Sequence, residues 1–384
     1  MTLAVDAKAK ELRANGVDII GFGAGEPDFD TPDKIKKAGI AAIETNITHY
    51  TPVGGIDALK QAIVNKFERD NNLIYEKNQI LVSCGAKHSL FNIAQVLWEE
   101  GDEIIVPAPY WVSYPDIIRY AGAKPVMIDT LSANEFKITP DQISSAMTAN
   151  TRAIIINSPS NPTGSAYSKK ELEGIAECAL SNKLLIVSDE IYEKVVFDGF
   201  EQHSICSIGK EVQNNSILIN GVSKSYAMTG WRIGYLAANE EIVKQAGKLQ
   251  GQSTSNPTSI SQMASITALN DTEVDVNQMV DKFQKRRDAL LNCLLKIPFV
   301  ACYKPVGSFY TFPDFSAFYG KSFKGKKIED SIQLANFLLE EGKVALVPGI
   351  AFGADRNLRL SFAASMDTIK QGVDRITKAL DLLE

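Results

Sequence analysis

The chain is short of the residues that build metal centres and disulfide scaffolds. Its five cysteines (Cys84, Cys178, Cys206, Cys293 and Cys302) are odd in number, widely spaced and without a Cys-x-x-Cys pair. That usage fits reduced thiols in a cytoplasmic protein. Three histidines occur (His49, His88 and His203), with no HxxxH spacing and no Cys/His cluster, so no metal is expected. Long apolar runs are missing too: none approaches the roughly 20 residues needed to span a bilayer. The first residues, MTLAVDAKAKELRANG, carry Asp and Lys where a signal peptide needs an apolar stretch, and are expected to form an amphipathic helix. Basic excess is absent, with 40 Lys and Arg against 46 Asp and Glu, a net charge of −6 and a pI near 5.4. A nucleic-acid partner is therefore disfavoured, and a small anionic ligand must be held by a few placed cations.

Several phosphate and nucleophile signatures also fail. GFGAGEP at 21–27 has Glu26 where a dinucleotide fingerprint needs its last glycine, and it precedes the main run of strands. GKS at 320–322 would need glycine at 315 to close a P-loop, and Phe315 stands there. No GxSxG elbow occurs. There is neither an internal repeat nor a low-complexity linker.

What is present is a chain of 384 residues, 45% apolar and 22% charged, long enough for two or three domains at roughly 150 residues each. Short apolar runs recur: ILVSC (80–84), EIIVP (103–107), PVMID (125–129), AIIINS (153–158), LLIVS (184–188), SILIN (216–220) and IGYLAA (233–238). Most are solid rather than alternating, as strands buried on both faces are. Helical patterns separate many of them. The alternation predicts an α/β fold over about 35–270, a doubly wound and mainly parallel sheet of seven strands. Residues 241–251, 258–270 and 274–296 read as helices. Strand-like pieces at 299–303, 307–312, 343–347 and 357–362, with helices near 329–341 and 366–384, predict a smaller α+β domain from 271–384, joined by residues 1–34.

Ligands of such sheets sit beyond the carboxyl ends of the strands, and chemistry-bearing residues follow the predicted strands there. Gly85 and Ala86, in SCGAKHSL, stand at a strand-to-helix turn that can hold an anion or be an ordinary connection. Asp189, in SDEIY, is either a helix cap or a carboxylate aimed at a cationic ring nitrogen. Asn161, in NSPSNPTG, starts a turn or offers its amide to a ligand oxygen. Trp111, in PYWVSYP, is either core or a platform for a planar ring. Lys224, in SKSYAMTGWRIGY, reads singly as a surface lysine, and Arg232 as a structural cation. Taken together, an amine nucleophile, a carboxylate, an amide, an aromatic face, an arginine and a helix N-terminus suit pyridoxal 5′-phosphate (PLP), a flat, phosphorylated aldehyde with a cationic ring.

These stretches, with GEPDF, YTPVGG and the late RLSFA, occur in an order that resembles the fold-type I PLP-dependent aminotransferases, and most closely the prokaryotic-type aspartate aminotransferase subgroup. The resemblance spans nearly the whole chain. It implies that Lys224 binds PLP as an imine and then moves the proton between the substrate Cα and cofactor C4′. Asp189 would pair with the ring nitrogen, Asn161 and Tyr192 would hydrogen-bond the ring oxygen, and Trp111 would stack on the ring. Arg232, with the backbone of Ala86 and Lys87, would hold the phosphate. Tyr50 matches a residue that relatives contribute to the partner subunit's phosphate site, which implies a homodimer with shared active sites. Arg359 would grip the substrate α-carboxylate, and Gly25 would offer backbone to the substrate.

Two departures stand out. Many relatives have serine where this chain has Gly221, so a phosphate contact is either lost or supplied by Ser223 or Ser225. Of the Ser-x-Thr element in the relatives' N-terminal arm, only Thr2 matches. Lys87 bears on the substrate: in relatives selective for aspartate a lysine at this place pairs with the side-chain carboxylate, and a buried carboxylate requires a partner. The expected activity is ping-pong transfer of the amino group of L-aspartate to 2-oxoglutarate. The alternatives are prephenate, aromatic amino acids or alanine on the same fold, a lyase, a non-catalytic PLP-binding regulator, and, more remotely, a nicotinamide oxidoreductase.

Overall fold

The computed structural model describes the backbone of residues 2–384 and the side chains from Lys8 onward, so the side chain of Thr2 lies outside the described residues. The seven expected strands form one sheet. Across it the order is Ile80–Ser83, Gly234–Ala237, Ser216–Gly221, Leu185–Asp189, Thr151–Asn157, Glu103–Ala108 and Lys124–Asp129. Gly234–Ala237 runs antiparallel to both neighbours, and every other pairing is parallel.

The apolar runs are solid because both faces of the sheet are covered. Leu81, Ile104, Val106, Ile155, Val187 and Ile217 pack into one core, while Val82, Ile105, Ile154, Ile156, Ile186 and Leu218 pack into another. Successive side chains of a strand point to opposite faces, so each run must be apolar throughout. Lys124–Asp129 is the exception, half exposed along its length. It lies at the sheet edge, where Pro125 leaves no ladder donor missing.

The helices start where local chemistry allows. Thr139 and Ser168 cap Pro140–Ala146 and Lys169–Ser181 through reciprocal bonds with Gln142 and Glu171. Each pairing satisfies backbone donors that a helix start leaves free.

A third core gathers Phe22, Phe283, Phe309, Tyr310, Phe315 and Phe362 with the helices Glu273–Leu294, Ser331–Glu340 and Met366–Leu380. It includes an antiparallel sheet ordered Val347–Pro348, Leu358–Ser361, Tyr310–Thr311. Ile20–Gly21 pairs in parallel with Val344–Ala345, which ties the N-terminal segment to this unit. Ile191, Tyr192, Val195 and Phe197 also pack here, so the chain following Asp189 bridges the large sheet and this core.

One expected strand is missing. Residues 299–303 contribute only a single bridge, Ala301 to Asp314. Phe299 is left-handed at φ 67 and 80% exposed, a backbone state incompatible with a continuing strand. No helix among the described residues is long and apolar enough to cross a membrane.

Candidate active site

The loops that leave the carboxyl ends of the parallel strands meet residues 23–26 and the Leu358–Ser361 strand around a cavity of about 440 Å³. Lys224, Asp189, Asn161, Tyr192, Trp111, Arg232, Ala86, Lys87, Ser223, Arg359 and Gly25, all expected from the sequence, line it. Tyr50 does not: it is 93% exposed and lies outside the cavity. Ser225 is buried away from it.

Asp189 ends its strand and is buried. Tyr114 Oη donates to its Oδ2 at 2.6 Å, and the Ile191 N–H donates to its Oδ1 at 3.3 Å. Burial pushes the carboxyl pKa up; the bonds from Tyr114 and Ile191, then the charge on Lys224, pull against that rise. A cation facing this carboxylate from the cavity would act in the same direction as Lys224. Asn157 links the neighbouring strand, donating to the Asp189 carbonyl at 2.9 Å and accepting from the Asn161 N–H at 2.9 Å. The loop bearing Asn161 is thereby tied to the strand bearing Asp189.

Lys224 follows the Ser216–Gly221 strand, and its amine donates to the Gly25 carbonyl. Burial pulls its pKa down to about 8. Glu26 is the strongest opposing influence, and Arg359 and Arg232 add to the fall. A large part of this amine is therefore neutral at mildly alkaline pH and able to act as a nucleophile or base.

Two guanidinium groups face the cavity without a carboxylate partner among the described residues. Arg232 donates to the Thr229 carbonyl at 2.9 Å and the Cys84 carbonyl at 3.4 Å. It lies beside the start of the Ala86–Leu97 helix, whose first N–H groups and dipole favour an anion. Two glycines make room for this approach. A Cβ on Gly85, which has φ 91, would stand 2.5 Å from Arg232 Nη2, and one on Gly234 would stand 2.1 Å from the Ala86 nitrogen. Arg359 donates to Asn161 Oδ1 at 3.0 Å and to the Gly23 carbonyl at 2.8 Å. Its buried Nε has no partner, and the group lies 4.4 Å over the Tyr310 ring and 5.1 Å from Phe352.

Lys87 Nζ lies 4.9 Å over Trp111. Partial desolvation, with Arg232 next in effect, lowers its pKa. Tyr192 Oη meets Tyr310 Oη at 3.1 Å, and burial raises the Tyr192 phenol well above its ordinary value. A Cβ on Gly221 would stand 3.0 Å from both Gly234 Cα and the Ile233 carbonyl. The backbone thus crowds the Gly221 position, and Ser223 is the nearby serine that lines the cavity.

Sequence reasoning missed Tyr114, Asn157, Glu26, Thr229, Tyr310 and Phe352, which also line the site. Tyr114 and Asn157 lie inside quoted segments and could have been found as polar neighbours of Trp111 and Asn161. Tyr310 and Phe352 read as ordinary core aromatics, and nothing in sequence marks them.

The chain is similar to known proteins over nearly its whole length. A family model described as aminotransferase class I and II matches residues 17–376. An aspartate aminotransferase of Bacillus sp. (strain YM-2) is 49% identical over 377 residues, covering 98% of this chain and 95% of the relative. A probable aspartate/prephenate aminotransferase of Rickettsia typhi is 46% identical over 384 residues, covering 100% and 96%. A solved aspartate aminotransferase from Rhizobium meliloti superposes with a TM-score of 0.97 at 41% identity, covering 100% of this chain and 96% of that one.

Proposed function

The chain belongs to the class I and II aminotransferases, and from that premise we propose that it moves the amino group of L-aspartate to 2-oxoglutarate with pyridoxal 5′-phosphate as cofactor. The observation that carries this reading is a pair of unmatched guanidinium groups, Arg232 and Arg359, on one cavity with Lys224 and Asp189. One would take a phosphate, and the other an α-carboxylate.

The residues fit the cofactor by charge and shape. Gly85 and Gly234 let Arg232 and its strand come close to the first N–H groups of the Ala86–Leu97 helix, and a guanidinium beside a helix start suits a phosphate. Asp189 is a buried carboxylate that a ring cation would stabilise. Asn161 and Tyr192 would face the ring oxygen, Trp111 a ring face, and Ser223 the phosphate. Bound there, the cofactor supplies an electrophilic carbonyl carbon and a ring that accepts electrons from the substrate Cα.

The protein's own groups do the rest. Lys224 Nζ would hold the cofactor and would be the base that takes the α-proton of the amino acid, its lowered pKa making the neutral amine accessible. Asp189 would pair with the ring nitrogen and favour its protonated form. Arg359 fixes the substrate α-carboxylate through a bidentate fork, with Gly25 lending backbone beside it. Lys87 would meet the distal carboxylate, which selects a dicarboxylate because a buried anion without a partner is costly. The same site then serves both half-reactions, since L-aspartate and 2-oxoglutarate each carry two carboxylates.

We further infer a cytoplasmic homodimer. Tyr50 is exposed and away from its own cavity, a position that suits service to the site of a second copy.

The Rickettsia relative supports a second reading, in which prephenate is the oxo acid. Prephenate is also a dicarboxylate, so Lys87 does not separate the two. Steady-state assays of oxaloacetate release with 2-oxoglutarate, and of amino-group transfer to prephenate, do. Aspartate turnover at least about tenfold more efficient than that of phenylalanine or alanine is expected, the scale of one charge-assisted bond. Equal efficiencies would overturn the dicarboxylate assignment.

A further inference from the structure

The Lys224–Arg232 loop is a backbone under strain. It joins two antiparallel strands and carries the amine at one shoulder and the phosphate-side cation at the other. Within it, Ala227 and Arg232 are both left-handed, at φ 50 and 56, although neither is glycine. Such residues persist when their surroundings over-determine them.

The surroundings here converge on one side chain. Thr31 Oγ1 donates to the Ala227 carbonyl at 2.6 Å and accepts from Trp231 Nε1 at 3.0 Å. A single hydroxyl therefore fixes the loop three residues after Lys224 and one residue before Arg232. The Trp231 ring is braced in turn against the Asp33–Glu44 helix, where a Cβ on Gly39 would stand 2.9 Å from it. The segment that carries Thr31, residues 23–31, is a strap that holds the loop at a third point, since Thr229 Oγ1 donates to Glu26 Oε2 at 2.7 Å while the Thr229 carbonyl accepts from Arg232. Carbonyls of this strap also accept from Arg359, at Gly23, and from Lys224, at Gly25.

We propose that Thr31 is a positioning residue: its hydroxyl clamps the Lys224–Arg232 loop in the strained conformation that aims both cations into the cavity. Thr31 does not line that cavity, so it acts through the loop and not on the substrate. The proposal rests on the aminotransferase reading and deepens it, because the quantity that the clamp sets is retention of the cofactor.

The test compares release of pyridoxal 5′-phosphate from the holoenzymes of wild type, Thr31→Val and Thr31→Ser, followed by absorbance after dilution, with the KM for L-aspartate measured alongside. Valine keeps the shape and loses both bonds, whereas serine keeps both. Release about tenfold faster is expected from Thr31→Val, the scale of losing two ordinary hydrogen bonds. Thr31→Ser should stay within about twofold of wild type, and KM should change less than the release rate. A wild-type release rate in Thr31→Val, or equal release from the Val and Ser variants, would overturn the clamp. If Thr31→Val does not yield folded holoenzyme, Trp231→Phe takes its place; it removes the indole donor and part of the ring packed on Gly39, and release at least about threefold faster is expected. An unchanged rate there would overturn the proposal too. Wild-type protein that takes up no pyridoxal phosphate would instead refute the proposed function, and with it the purpose assigned to the clamp.

Discussion

The amine of Lys224 offers a quantitative test in the apoprotein. Burial, assisted by Arg359 and Arg232 and opposed by Glu26 and Asp189, brings its pKa from 10.5 down to about 8. The neutral form is the one that attacks a carbonyl, and its share grows as pH rises through the pKa. With a pKa of about 8, roughly 9% is neutral at pH 7 and roughly 91% at pH 9. An unperturbed lysine would be about 0.03% neutral at pH 7 and about 3% at pH 9. The rate at which apoprotein captures pyridoxal phosphate should therefore rise about tenfold between pH 7 and 9 and then level off. This range lies above the second phosphate ionisation near 6, so the ligand's phosphate charge is nearly constant. A rise of about a hundredfold that continues past pH 10 would mean that the site does not depress the amine. Glu26→Gln should move the midpoint below that of wild type, because Glu26 is the strongest influence raising this pKa. An upward or absent shift would contradict the electrostatic reading.

Three further substitutions address separate parts of the cavity. Arg359→Ala should raise the KM for L-aspartate about a hundredfold, the scale of a lost bidentate charge-assisted pair; an unchanged KM in steady-state assays would remove Arg359 from carboxylate binding. Lys87→Gln should reduce kcat/KM for aspartate about tenfold more than for phenylalanine, and equal losses would show that Lys87 does not meet the distal carboxylate. Tyr114→Phe removes the 2.6 Å bond that opposes the upward pull of burial on Asp189. The Asp189 pKa should rise, moving the acid limb of the kcat/KM profile to higher pH; a limb that stays in place would mean that Tyr114 does not help to keep Asp189 ionised.

The sequence made the large sheet legible because a strand covered on both faces must be apolar throughout; all seven apolar runs became strands, with only the edge strand Lys124–Asp129 half exposed. It was less legible around Phe299, where an apolar residue is held exposed and left-handed, a state that hydrophobicity does not encode. The residues at the strand ends could be found because polar groups following buried strands are conspicuous. Lys224 and Arg232 read singly as a surface lysine and a structural cation, and only the company of the other strand-end residues marks them; both line the cavity. Tyr310 and Phe352 could not be found in this way. They reach the cavity from the Phe-rich third core and from a turn far along the chain, and their contact with Arg359 depends on tertiary packing alone. Glu26 was read only as the residue that breaks a glycine motif, whereas it faces the cavity and bonds Thr229. Thr31 carried no signal, because a threonine before proline reads as a helix start.

The most direct test of the central claim is the visible absorption spectrum of the cofactor-loaded protein before and after L-aspartate is added, and again after 2-oxoglutarate. The expected result is loss of the band of the lysine-bound cofactor with aspartate and its return with the oxo acid, since one amino group is then stored on the cofactor and given up again. A band that is present but does not respond to aspartate would contradict the substrate assignment. A protein that shows no band after loading with pyridoxal phosphate would contradict the assignment of the cavity itself.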